Sequence, residues 1–289
     1  MLNIIYAQLL LTTFLVALSC ALPGTFLILR GTSLMSDAIG HAILLGIVTA
    51  FLITKNMHSP FIFIGAVLLG IATAAGTELL ISTKRLMHDA AVGLVFPLLF
   101  SIAIILINLY ASSIHIDTDA ALLGELAFTP FNKLIVYGTD FGPISIWIMS
   151  LILCINTLCI YLWYPTLKLT TFNSDYAYIL GYRPHWIHYG LMTLTSITIV
   201  GAFDTAGAIL VVAFMIIPPA TAYLLTYRLS HMLILSCLIA LITSLSGCLF
   251  AHFCNVSIAG MIATINGILF FVVLTSITVY KNLHLTYIK

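Results

Sequence analysis

Nine stretches of mostly apolar residues follow one another along this chain. Each is close to the roughly 20 residues that cross the hydrocarbon core of a bilayer as an α-helix. Lipid offers no hydrogen-bond partners, so such stretches must satisfy their backbone internally, as helices do. Cutting at polar clusters and prolines places the spans at Ile4–Leu29, Asp37–Ile53, Phe61–Ile81, Ala90–Tyr110, Ile144–Tyr164, Ile187–Phe203, Ala206–Leu225, Met232–Phe253 and Ile258–Tyr280. The expected fold is an all-α, polytopic transmembrane helix bundle, with residues 1–289 as a single transmembrane domain. Composition agrees: 62% of residues are hydrophobic and only 7% charged. Soluble domains carry about a quarter charged residues, so an ordinary globular protein and a disordered tail are excluded. Ten Lys/Arg against nine Asp/Glu leave no basic excess for nucleic acid.

The weakest boundary lies between the sixth and seventh spans, where Gly201 to Gly207, with Asp204, is the only interruption. One bent span there would leave eight. Asp204 reads as a turn residue, with an outer-gate role as the rival reading. With the N-terminus outside, inner loops hold Arg30, Lys84, Arg85, Lys168, Arg183, Arg228, Lys281 and Lys289, and outer loops hold Lys55 and Lys133. That split obeys the positive-inside rule, supports nine spans and places the C-terminus in the cytoplasm. Leu9–Ala21 could pass for a secretion signal, but no Lys or Arg precedes it and the run continues through Leu29, so a retained first helix is expected. Cys20, Cys154, Cys159, Cys237, Cys248 and Cys254 show no CxxC pair and read as small buried hydrophobes.

Few charges fall where charge is expensive. Asp37 and His41 open the second span four residues apart, hence on one helix face. Carboxylate oxygen and imidazole nitrogen suit Mn, Fe or Zn, and both can reach one ion at this spacing. The competing reading is a helix-start Asp favoured by the N-terminal dipole, with His41 satisfied by a neighbouring helix. Beside them runs a ridge of small residues, Ala38, Ala42, Gly46 and Ala50, which lets another helix approach closely. Pro218 and Pro219 remove two backbone donors near the end of the seventh span. A helix break is expected there, with Ala220, Thr221, Ala222 and the residues up to Arg228 restarting as a short surface helix or forming a tight turn.

Asp89 reads as a charge at the start of the fourth span or a partner of Arg85. In the outer loop His115, Asp117 and Asp119 alternate, so an extended segment would place them on one side, for metal capture or simply as a solvated loop. His252 and Cys254, near the outer end of the eighth span, are a small pair with metal-ligand chemistry. Neither GxxxxGK[ST], HExxH nor GxSxG occurs, so ATP hydrolysis is expected in another chain, and the chain itself is not read as an enzyme.

Several motifs together resemble the integral-membrane permeases of ABC-type zinc, manganese and iron uptake systems. Arg30, Ser33, Leu34, Met35, Asp37, Ala38, His41 and Ala42 follow the family's Arg-x-x-Ser-Leu-Met-Gly-Asp-Ala-x-x-His-Ala signature, with Ser36 in place of Gly. Asp89–Gly93, Leu122–Glu125 and Ala208–Ala222 extend the likeness over essentially the whole chain. Pro219, Tyr227 and Glu125 depart from the residues usual in the family. The resemblance implies a homodimeric, multi-pass permease of the inner membrane, working with cytoplasmic ATPase subunits and an external metal-binding lipoprotein. It implies that Asp37 and His41 line the translocation path, that the segment after Pro218 couples to the ATPase, and that the divalent cation is cargo, with no permanently bound cofactor. The rival class is an ATPase-independent secondary transporter or channel. Which metal is carried is not fixed by these residues.

Overall fold

A computed structural model describes residues 2–56, 59–110, 126–136 and 139–286. Its helices are α1 (Leu2–Leu29), α2 (Leu34–Thr54), α3 (Pro60–Ser82), α4 (His88–Tyr110), α5 (Ile144–Leu162), α6 (Tyr164–Phe172), α7 (Ser174–Ile179), α8 (Pro184–Ala206), α9 (Ala208–Leu225), α10 (Leu229–Cys254) and α11 (Ile258–Thr286). Among the described residues nine of these are long and apolar enough to span a membrane, all but the short α6 and α7. Between α4 and α5 lie a 3-10 turn, Leu126–Phe131, and an antiparallel hairpin of β1 (Lys133–Val136) and β2 (Thr139–Pro143). His115, Asp117, Asp119 and Glu125 lie outside the described residues.

The boundary between the sixth and seventh spans is a true break. Gly207 takes φ +77, a region closed to most L side chains, and α8 ends and α9 begins on either side of it. Asp204 is therefore not in the turn; it belongs to the last helical turn of α8. There it lines a cavity of about 440 Å³ with residues of α2, α3 and α5.

Pro218 and Pro219 do not break the seventh span. Helix α9 runs through both, and Pro218, Pro219, Thr221 and Ala222 are buried in the bundle, with Ala220 partly covered. Pro219 removes the donor that would have reached the Met215 carbonyl. At that carbonyl α1 comes unusually near: a Cβ on Gly24 would lie 2.2 Å from Met215 O. Packing by a neighbouring backbone keeps the helix intact where the prolines alone would open it.

Proline is accommodated the same way in α1. Pro23 leaves the Ser19 carbonyl without its helical donor, and the buried Asn156 of α5 supplies one, Nδ2 to Ser19 O at 3.1 Å. The same amide nitrogen donates to Thr198 Oγ1 of α8 at 2.8 Å, so one side chain joins three helices.

The small ridge of α2 meets α3. A Cβ on Gly46 would lie 2.5 Å from Gly65 O and 2.7 Å from Ala66 Cα, so the backbones touch there. Thr and Ser side chains inside the spans mostly bond back to carbonyls three or four residues earlier, as Thr13 does to Leu9 O at 2.8 Å, which silences them without a partner helix. The cysteines are all free, but only Cys20 and Cys248 are buried; Cys154 and Cys254 are exposed and Cys159 and Cys237 lie between. Being as apolar as their neighbours, the outer ones can face lipid as well as a core.

Helix ends sort into two groups. At one end Tyr6 of α1 hydrogen-bonds His252 of α10. At the other Arg30, just past α1, reaches Thr170 and Thr171 of α6 and His188 of α8. The bundle thus has a Tyr6 end and an Arg30 end.

Candidate functional site

Helix α2 begins at Leu34, three residues before the expected start, which puts Asp37 in its first turn. His41 is one turn further on, and its Nε2 stands 3.5 Å from Asp37 Oδ1. The imidazole is fixed against α4: it stacks on Phe96 at 5.7 Å and 27° and meets the edge of Phe100 at 5.7 Å and 76°. Phe96 and Phe100 are four apart and flank Pro97. The flank of α2 beside the pair is closed at Gly40, which lies under the Phe203 ring, where a Cβ would come within 2.6 Å of Cζ.

The pair itself is not closed. Asp37 and His41 keep 45% and 34% of their side-chain surface, although most of α2 is buried. An ionisable pair bare to hydrocarbon is strongly disfavoured, so this face belongs against another polypeptide or a water-filled path. Two ligands are also fewer than a resident ion demands. Among the described residues no group of three or more His, Cys, Asp or Glu side chains is gathered to hold a metal.

Of the other expected ligands, the two that are described are not brought to this site. His252 is engaged by Tyr6, and Cys254 is exposed as the last residue of α10; both sit at the Tyr6 end, away from the start of α2. Asp89 lies in the first turn of α4 beside its neighbour His88, with Nδ1 to Oδ1 at 3.7 Å.

One polar cluster was missed from the sequence. Glu78 of α3 pairs with His188 of α8, Oε2 to Nε2 at 3.5 Å, with His185 Nδ1 4.0 Å from its other oxygen. Arg30 completes it, placing Nη1 3.4 Å from His188 Nδ1, Nη2 3.1 Å from Thr170 Oγ1 and Nε 3.2 Å from Thr171 Oγ1. Burial lowers the Arg30 guanidinium to about 10, which still leaves it cationic at neutral pH. The available signals were an acidic residue inside the third apolar run and a His-x-x-His spacing at the start of the sixth.

A second feature of the Arg30 end was also missed. Phe172, Tyr176, Tyr178, Ile179 and Trp186 all expose large apolar side chains on and beside α6 and α7. The pattern of the ABC 3 transport family matches residues 2–277. The chain belongs to that family.

Relatives of this ABC 3 chain are named for metal transport. It is 44% identical over 262 residues to the manganese transport system membrane protein MntD of Bacillus subtilis (strain 168), covering 91% of this chain and 88% of that one. It is 45% identical over 263 residues to the zinc transport system membrane protein TroD of Treponema pallidum (strain Nichols), covering 91% and 71%. Among solved structures, PsaBC from Streptococcus pneumoniae in complex with Fab superposes with a TM-score of 0.75 at 28% identity, over 92% of this chain and 90% of the other. An inward-facing, putative metal-chelate type ABC transporter shares the fold, with a TM-score of 0.68 at 16% identity over 93% and 85%. The ABC 3 chain is thus a multi-pass membrane permease, and the ATPase-independent alternative has no support from its relatives.

Proposed function

We propose that this chain is the membrane-spanning permease subunit of an ATP-driven importer of a divalent metal cation, and that Asp37 and His41 are the ligands the cation meets in the membrane. The observation that carries the site is a half-exposed carboxylate–imidazole pair in the first turns of a membrane helix, on a chain of the ABC 3 transport family. Relatives named for manganese, zinc and iron define the cargo class. Few ligands suit passage, because an ion held in a complete shell would leave slowly. The open face fits a second copy of the chain, whose own pair would face the same path. Manganese, zinc and iron all bind such donors in Irving–Williams order, so choice among them rests on geometry and on delivery.

In this reading the Arg30 end lies in the cytoplasm with the C-terminus, and the Tyr6 end receives the cation from an external binding lipoprotein. ATP is hydrolysed by separate subunits. Their docking surface is the exposed apolar group around Tyr176, Tyr178 and Ile179, with Tyr223, Tyr227 and Arg228 beyond the end of the buried part of α9. Pro218, Pro219, Thr221 and Ala222 are buried in the bundle beside this surface, and Ala220 is partly exposed.

The test is metal uptake by the complete transporter carrying Asp37→Ala and His41→Ala together. Uptake of manganese, zinc and iron is expected to vanish while the ATPase still co-purifies. Wild-type uptake by the double variant would remove the site assignment.

A further inference from the structure

Helix α1 ends in a fixed turn. Gly31, at φ +66, donates to Ile28 O at 3.1 Å and Thr32 donates to Leu27 O at 2.9 Å, the two bonds of a Schellman motif with Arg30 as its C-cap. Helix α2 starts at once: Met35 donates to Thr32 O at 3.1 Å and Ser36 to Ser33 O at 3.2 Å. Between Arg30 and Asp37 there is no slack segment. A displacement of the Arg30 backbone is handed to the first turn of α2.

The Arg30 side chain is held from the other direction. A guanidinium only donates, and its fork points three N–H groups in set directions. Two of them hold Thr170 and Thr171, next to the exposed Phe172 and three residues before the start of α7. The third reaches His188 Nδ1, which must then accept, so the imidazole proton sits on Nε2, facing Glu78. This tautomer leaves neither ring nitrogen free for a metal, which argues against reading Glu78 and His188 as a second ion site. His88 and His185 are the other titratable groups within electrostatic range of His188. The pair lies about 12 Å from the layer where Ile39 and Ser196 close on Gly70, counting eight residues along α3 and α8. Ile39 lies in the same turns of α2 as Asp37 and His41, on the opposite face.

We propose that Arg30 is a positioning residue that transmits movement of the α6–α7 segment to α2, and so links ATPase docking to the cation pair. The proposal rests on the reading of α6–α7 as the ATPase-facing surface. Arg30 touches neither the cation pair nor the docking side chains; it joins their supports. Keeping a guanidinium partly out of water opposes its charge, and its fork of bonds to Thr170, Thr171 and His188 is what holds it there.

The experiment measures manganese moved per ATP hydrolysed by the full transporter in proteoliposomes, together with the ATPase that co-purifies. Arg30→Lys keeps the charge and loses the fork. Thr170→Val with Thr171→Val keeps shape and loses both acceptors, so it remains informative should the arginine variant misfold. Both are expected to bind the ATPase and hydrolyse ATP while manganese per ATP falls about tenfold, within the range usual for coupling between sites. A wild-type ratio in both variants overturns the proposal. So does loss of ATPase binding, or a parallel loss of hydrolysis and uptake, since Arg30 would then serve docking or the ATPase cycle itself. The docking reading is tested separately by Tyr178→Asp, and it fails if that variant still binds the ATPase as wild type does.

Discussion

Replacing Asn156 by Leu should destabilise the bundle, and by an amount that depends on a residue in another helix. Asn156 is 1% exposed, and its Nδ2 serves Ser19 O at 3.1 Å and Thr198 Oγ1 at 2.8 Å. Ser19 O needs that donor because Pro23, four residues later, has no N–H. Leu fills similar space but leaves the carbonyl unpaired in an apolar interior, a loss of about 1–3 kcal/mol. Bonds between membrane helices average nearer 0.6 kcal/mol, and Asn156 Oδ1 is itself without a partner, so about 1 kcal/mol is the expected net cost. Pro23→Ala restores a helical N–H to the same carbonyl. In that background Asn156→Leu should cost less by a few tenths to about 1 kcal/mol, a coupling that a double-mutant cycle resolves. The assay is reversible unfolding in mixed micelles for the four members of the cycle. Strictly additive effects at positions 23 and 156 would refute the argument that Asn156 stands in for the donor Pro23 lacks.

Gly46→Val should separate α2 from α3 and abolish the folded permease in a detergent thermal-shift assay, because its Cβ would lie 2.5 Å from the Gly65 carbonyl. Gly267→Ala, with nothing within 4 Å of its Cβ, should be neutral or slightly stabilising in the same assay. His252→Phe should leave metal uptake unchanged while lowering thermal stability slightly, since the exposed ring is engaged by Tyr6 at the end of α10; a large uptake defect would count against this. Tyr178→Asp should weaken ATPase co-purification about tenfold or more, as expected for loss of an exposed aromatic anchor.

Much of the candidate site was legible from spacing alone. Asp37 and His41 share a face because a helix repeats every 3.6 residues, and their position in a hydrophobic run made them exceptional. The division at Gly207 was visible as an interruption, although the sequence pointed to Asp204 as the turn residue. Reading Pro218 and Pro219 as a break failed for a definite reason. Proline removes a donor locally, but whether the helix opens depends on what lies beside the orphaned carbonyl, and here α1 packs there through Gly24. Glu78, His185, His188 and Arg30 are spread over two apolar runs and one turn, so no linear motif joins them.

The sequence by itself determined that this chain lives in lipid, that it crosses eight or nine times, and which ionisable pair shares one face at the start of its second apolar run. Those properties follow from hydropathy and helical period, which are local. Only the tertiary structure decided which charges meet across helices, which prolines are tolerated and which apolar residues remain uncovered at the Arg30 end. Each of these depends on what another helix places within a few ångströms, and in a medium without water those neighbours are the only partners a polar group can have.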